Sequence, residues 1–118
     1  MRRIVTGVAE AHEVTAQVSY DTIFPPTIND AGAVAQVAEA ACAIFGKAQV
    51  TADCEPKLFS EDFAHMAAQV PGCFLLLGNG TNGAHARPLH SADYDFNDAG
   101  LVPGSAFWVE LVQRCLKN

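Results

Sequence analysis

Two short stretches of this chain constrain its fold more than any other, because they are strands of different kinds. "VTAQVSYD" at 14–21 alternates, with Val14, Ala16, Val18 and Tyr20 on one face and Thr15, Gln17 and Ser19 on the other. Side chains alternate across a strand, so this pattern suits a sheet with one wet face, usually antiparallel. "CFLLLG" at 73–78 is apolar throughout, as expected of a central strand covered on both faces by helices. "AQVTAD" at 48–53 reads as a third strand. A single compact sheet does not normally need both patterns. Between them, "IFPPTIND" at 23–30 carries two adjacent prolines and reads as a stiff connector. The chain is therefore expected to hold two structural units. The first is too small to bury a core by itself.

Helical periodicity places four helices around these strands. The first spans about 2–12, with Ile4, Val8 and Ala11 on one face. The second spans about 31–45, where Val34, Val37, Ala38, Ala41, Cys42 and Phe45 follow the repeat. Asn29 or Asp30 suits its N-cap, and Gly46 suits its stop. The third covers about 61–70, capped by Ser60, with Phe63, Met66, Ala67 and Val70 on one side and "PG" at its end. The fourth, about 98–116, is expected to turn Trp108, Leu111, Val112 and Cys115 inward. Asn97 or Asp98 suits its cap, with Tyr94 and Phe96 packed beneath the preceding loop.

The 118 residues fit one domain of ordinary size, and half of them are apolar, enough for a packed core. A net charge of −6 argues against nucleic acid and anionic membranes as partners. No apolar run approaches the length of a membrane span, and "MRRIVTGVAEAH" lacks the continuous apolar core of a signal peptide. A cytoplasmic protein is expected. Cys42, Cys54, Cys73 and Cys115 form no CxxC and no zinc-finger spacing, so all four read as reduced thiols.

Polar chemistry concentrates in "LHSADYDFND" at 89–98 and "SEDF" at 60–63. His90 lies in a loop between the buried strand and the last helix, as does His85. In open α/β sheets, sites collect at the carboxyl ends of strands, where a loop histidine can bind a metal or move a proton. The plainer reading is a hydrogen-bonded loop histidine, since one histidine makes no metal site. "SEDF" reads as two acids at the positive end of a helix, or as Glu61 or Asp62 turned towards a ligand. "GNGTNG" at 78–83 has glycines but no Walker lysine and no GxGxxG. It reads as a tight turn.

The order of the stretches carries more than any one of them. "FPPTIND", "SEDFAHM", "VPGCFLLLGNG" and "PLHSADYDFND", followed by a Trp-containing helix, resemble the C-terminal part of the metal-dependent amidohydrolases of the hippurate hydrolase group. This group holds aminoacylase-like and metallopeptidase-like enzymes that hydrolyse N-acyl amino acids. The resemblance spans essentially the whole chain. It implies an α/β fold, with residues 1–22 a helix–strand remnant of a ferredoxin-like satellite domain that often mediates dimerisation. Residues 23–30 become the connector, and 31–118 the C-terminal part of the helix-flanked catalytic domain.

The reaction so implied is hydrolysis of an amide by water held between two divalent metal ions (zinc, manganese, nickel or cobalt), with a glutamate as general base. By the same resemblance, His90 of the "LH" motif is a metal ligand. The resemblance also makes Glu61 and Asn29 candidates to touch the metal ligands from behind or to contact the substrate. The remaining ligands and the base belong to motifs absent from these residues, and Phe59 stands where the family usually has glycine. The expectation is thus the C-terminal portion of an amidohydrolase that is inactive alone and binds no metal tightly. Its partners would be a second copy or the missing N-terminal portion, and its substrate a small N-acyl amino acid. The alternative is a non-catalytic interaction module that retains a remnant of the fold.

Overall fold

The computed structural model describes residues 1–117. Four α-helices are present: α1 (Arg2–Ala11), α2 (Ala31–Phe45), α3 (Phe63–Ala67) and α4 (Leu101–Cys115). Three 3₁₀ turns, Lys47–Gln49, Gly83–Ala86 and Asp98–Gly100, join them.

The second helix begins and ends where its punctuation dictates. Asp30 sits at the N-cap in extended conformation, and its carboxylate accepts the Ala33 N–H at 2.8 Å. That satisfies one of the four amide groups that a helix start leaves without a partner. Gly46, with φ of +81°, turns the chain out of the helix at its other end. Replacing Asp30 by alanine is expected to cost about 1 kcal/mol in denaturant unfolding. An unchanged midpoint would show that the cap contributes nothing.

The other helices depart from their expected limits or faces. The third is only five residues long, starts after Asp62 and has no side-chain cap, so Ser60 does not cap it. Its ends continue as single turns, with the Ala64 N–H on the Glu61 carbonyl and the Val70 N–H on Met66. In α1 the buried residue is Ala9, while Ile4 and Val8 are exposed. In α4 the buried residue is Phe107 (4% exposed), and Trp108 and Val112 lie in solvent at 58% and 53%. The expected inward face is therefore rotated by one residue, about 100°.

The tightest packing pairs α2 with α4. Ala40, fully buried, lets the two helices approach, and Phe107 fills the seam against Phe45 with ring centroids 6.3 Å apart. The Trp108 ring meets the edge of Phe107 at 5.2 Å from the outside. Arg114 closes the rim, its Nε donating to Glu110 at 2.7 Å and its Nη1 to Glu39 at 3.3 Å.

Among the described residues no strand forms at 14–21, 48–53 or 73–78. A strand is a pairing of backbones and not a property of one segment, so alternation alone cannot make one. What pairing exists is supplied by a side chain. The Asn29 amide donates to the Phe74 carbonyl at 2.9 Å and accepts the Phe74 N–H at 2.8 Å. Beside it, the Asp30 N–H donates to the Gly72 carbonyl at 2.9 Å. The connector is thereby tied alongside 72–74, and a cluster of Phe59, Phe63 and Phe74 packs near this junction.

The surface left open is large. The accessible area is 9,662 Å², against about 6,200 Å² for a compact monomer of this mass. The radius of gyration is 20.3 Å, where about 13.5 Å is usual for this length. Much of the excess is apolar. Leu101, Val102, Trp108, Val109, Val112 and Leu116 form an exposed stripe along α4, and Ile4, Val8 and Val14 line an open groove beside α1. No described helix is long and apolar enough to cross a membrane.

Candidate functional site

The segment between the apolar stretch 73–78 and α4 is organised around one asparagine. An asparagine side chain has two N–H donors and one acceptor oxygen, and Asn79 engages all of them. Its Nδ2 donates to the Asp95 carbonyl at 2.8 Å and to the His85 carbonyl at 3.1 Å. Its Oδ1 accepts the Asn97 N–H at 2.8 Å. Asn97 answers by donating Nδ2 to the Asn79 carbonyl at 3.0 Å and by accepting the Ala99 N–H at 3.1 Å. The last of these caps the 3₁₀ turn that leads into α4. Asn97 or Asp98 is the cap expected for the fourth helix; α4 itself starts after Gly100 with no side-chain cap, and Asn97 caps only the 3₁₀ turn before it.

Residues 80–95 form an excursion closed at this neck. Gly80, at φ +139°, lies against His85, where a Cβ would come within 2.9 Å of the histidine Cβ. Only glycine fits there. The His85 Nδ1 lies 3.3 Å from the Asp95 carbonyl and 3.7 Å from its carboxylate. Further out, Arg87 Nε meets Asp93 Oδ2 at 3.1 Å, and Ser91 Oγ donates to Asp93 Oδ1 at 2.6 Å. These exposed pairs contribute little stability each. Together they fix the shape of the excursion.

His90 stands at its tip. The Ser91 N–H donates to the Pro88 carbonyl at 3.2 Å, making Pro88–Ser91 a four-residue turn with His90 third. His90 has φ of +68°, whereas Leu89 stays on the ordinary side. That is the arrangement of a type II turn, whose third residue is usually glycine. Left-handed backbone costs an L-residue about 1–2 kcal/mol. Here it presents an exposed imidazole.

The other two sequence candidates lie elsewhere in the fold. Glu61 is half-buried in the turn before α3, and among the described residues its carboxylate makes no ion pair. Asn29 has its amide oxygen and one of its N–H groups engaged by the Phe74 backbone. No three His, Cys, Asp or Glu side chains gather closely enough to hold a metal ion among the described residues. His90 supplies one imidazole, and the chain does not by itself fit a complete metal centre. All four cysteines are free thiols, and burial pushes the Cys73 thiol up, keeping it protonated.

Sequence reasoning missed Asn79 and the latch it forms with Asn97. The signal was present in the "GNG" run, where an asparagine between glycines can turn its amide on neighbouring backbone. Its partners sixteen and eighteen residues away were not legible.

The chain is a member of Peptidase family M20/M25/M40, which it matches over residues 3–114. It is 27% identical over 115 residues to the hippurate hydrolase of Campylobacter jejuni, covering 98% of this chain and 29% of that enzyme. It is 31% identical over 118 residues to the N-acetylcysteine deacetylase of Bacillus subtilis, covering 100% of this chain and 29% of the relative. With the N-acetyldiaminopimelate deacetylase of Leuconostoc citreum it shares 33% over 108 residues, 88% of this chain and 26% of the relative. The chain thus spans less than a third of the length of these relatives. No solved structure matches it significantly.

Proposed function

We propose that this chain is the C-terminal portion of a metal-dependent amidohydrolase acting on N-acyl amino acids, with His90 as one metal ligand. The observation that carries the reading is His90 itself. It is a non-glycine residue on left-handed backbone at the tip of a braced excursion, in a chain that matches the family almost from end to end. Strain of this kind clusters at functional sites. The names of the relatives, all hydrolases or deacetylases of acylated amino acids, support the substrate class.

The excess surface supports the expected architecture. In the whole enzyme the segment 73–78 takes neighbours in an α/β sheet, and the α4 stripe is covered by the rest of the catalytic domain. Residues 1–22 then belong to a satellite domain with the same need for pairing. A divalent metal pair would polarise the amide and supply a nucleophilic water when bound. This chain contributes the His90 imidazole to it, and Glu61 lies in the same region of the sequence pattern. The remaining ligands and the base come from outside these residues.

Two results are expected of the purified chain. Incubated with zinc or manganese and hippurate, it releases no benzoate, because one imidazole cannot hold a metal pair and position a base. In light scattering it associates into dimers or larger species through its apolar stripes and unpaired backbone. Metal-dependent turnover by the chain alone would overturn the first expectation, and a clean monomer at high concentration the second. An intact protein carrying this segment that hydrolyses no acylated amino acid would favour the interaction module instead.

A further inference from the structure

We infer that Asn79 is a positioning residue for His90, an inference that rests on His90 being a metal ligand. The Asn79 side chain spends both its donors and its acceptor on backbone groups. Its amide latches the neck from which the His90 turn projects, and so determines where the imidazole is offered.

The connection is contiguous. Asn79 Nδ2 holds the Asp95 carbonyl, the same carbonyl that His85 Nδ1 approaches. Two residues on, its Oδ1 holds the Asn97 N–H, and the Asn97 side chain returns to the Asn79 carbonyl. The outgoing and returning arms are therefore fastened at one point by four side-chain hydrogen bonds, counting the one to the His85 carbonyl. Two residues inward from Asp95, Asp93 braces the turn from both sides through Arg87 and Ser91. Ser91 in turn closes the turn on Pro88 that sets His90 at φ +68°. Asn97 also caps the 3₁₀ turn that leads directly into α4, so the latch registers the excursion against the start of that helix. Without the amide, three of the four bonds at the neck are lost, leaving the Asn97 donation to the Asn79 carbonyl and exposed pairs that solvent competes for.

The argument singles out the amide nitrogen. An aspartate at 79 keeps an oxygen for the Asn97 N–H but loses both donations to carbonyls and places charge beside them. It should behave like alanine and not like asparagine. Asn97→Asp keeps the cap on Ala99 and loses only the return donation, so it should show a smaller effect of the same kind.

The test reads the backbone in the full chain and the metal in an intact enzyme carrying this segment. In the chain, the His90 amide–Hα coupling reads φ, and it should move away from its left-handed value in Asn79→Ala and Asn79→Asp. In the intact enzyme, zinc titration should show affinity about tenfold lower in both variants, the size of effect seen when a ligand's support is lost. Asp30→Ala, a cap variant outside the excursion, should lower the melting temperature and leave both readouts alone. The inference is overturned if Asn79→Ala keeps the parent coupling, or if Asp30→Ala shifts it equally. A coupling that collapses in Asn79→Ala while the zinc affinity of the intact enzyme stays that of the parent would overturn the ligand reading and sustain the positioning role.

Discussion

Replacing His90 by glycine should make the folded chain more stable by about 0.5–1 kcal/mol, and should remove the metal ligand proposed at this position. The stability gain follows from the turn. A side chain at φ +68° pays a left-handed penalty of about 1–2 kcal/mol that glycine escapes. Part of this is returned through the greater freedom of glycine in the unfolded chain. His90→Ala keeps the penalty and should fall below His90→Gly in denaturant unfolding. With His90 the metal ligand proposed above, either change in an intact enzyme carrying this segment should abolish most hydrolysis of N-acyl amino acids, the proposed substrates. A residue whose removal stabilises the fold and destroys activity is held for its chemistry. If His90→Gly were less stable than the parent, the imidazole would be there for packing. If the intact variant kept full activity, His90 would be a loop histidine only.

Phe107→Ala should be the most damaging single change in the described core, at about 3–5 kcal/mol. Natural domains hold about 5–15 kcal/mol in total, so the variant should lose much of its cooperative unfolding. The reason is the α2–α4 seam. Phe107 is 4% exposed there, and no other large side chain in the described residues is buried to that degree. Trp108→Ala, one residue away and 58% exposed, should cost under about 1 kcal/mol in the isolated chain. Equal losses for the two variants would mean that α4 is rotated from the face described here.

That pair of residues marks a limit of periodicity. Apolar residues occur almost all around α4, at Leu101, Val102, Ala106, Phe107, Trp108, Val109, Leu111, Val112 and Leu116. A helix that is apolar on every side has no unique inward stripe to read. In the first helix, too, the expected face of Ile4 and Val8 stays in solvent, beside a buried Ala9. By contrast α2 was legible to the residue, because Asp30 and Gly46 act locally on the backbone next to them. The short α3 has no such cap, and the pattern overstated it at both ends.

The candidate site divides in the same way. The resemblance singles out His90 by the "LH" pattern, while its place between an apolar stretch and a helix is shared with His85. Its left-handed backbone was not legible, since glycine is the residue that usually advertises such a turn. Asn79, Asp95 and Asn97 looked like loop polarity and proved to be the closure of the loop.

The sequence by itself determined the limits of α2 set by its cap and its terminal glycine, and the membership in Peptidase family M20/M25/M40. These rest on local chemistry or on the order of motifs along the chain, and neither needs a partner in space. Tertiary structure alone decided which face of α4 is buried, that Asn29 binds the Phe74 backbone, and that Asn79 latches the His90 excursion. Each depends on contacts across sixteen or more residues, where an amide or an aromatic ring has many possible partners and only the folded arrangement selects one. The same holds for the apolar segments at 14–21 and 73–78. Their composition favours strands, but a strand exists only where a second backbone meets its hydrogen bonds.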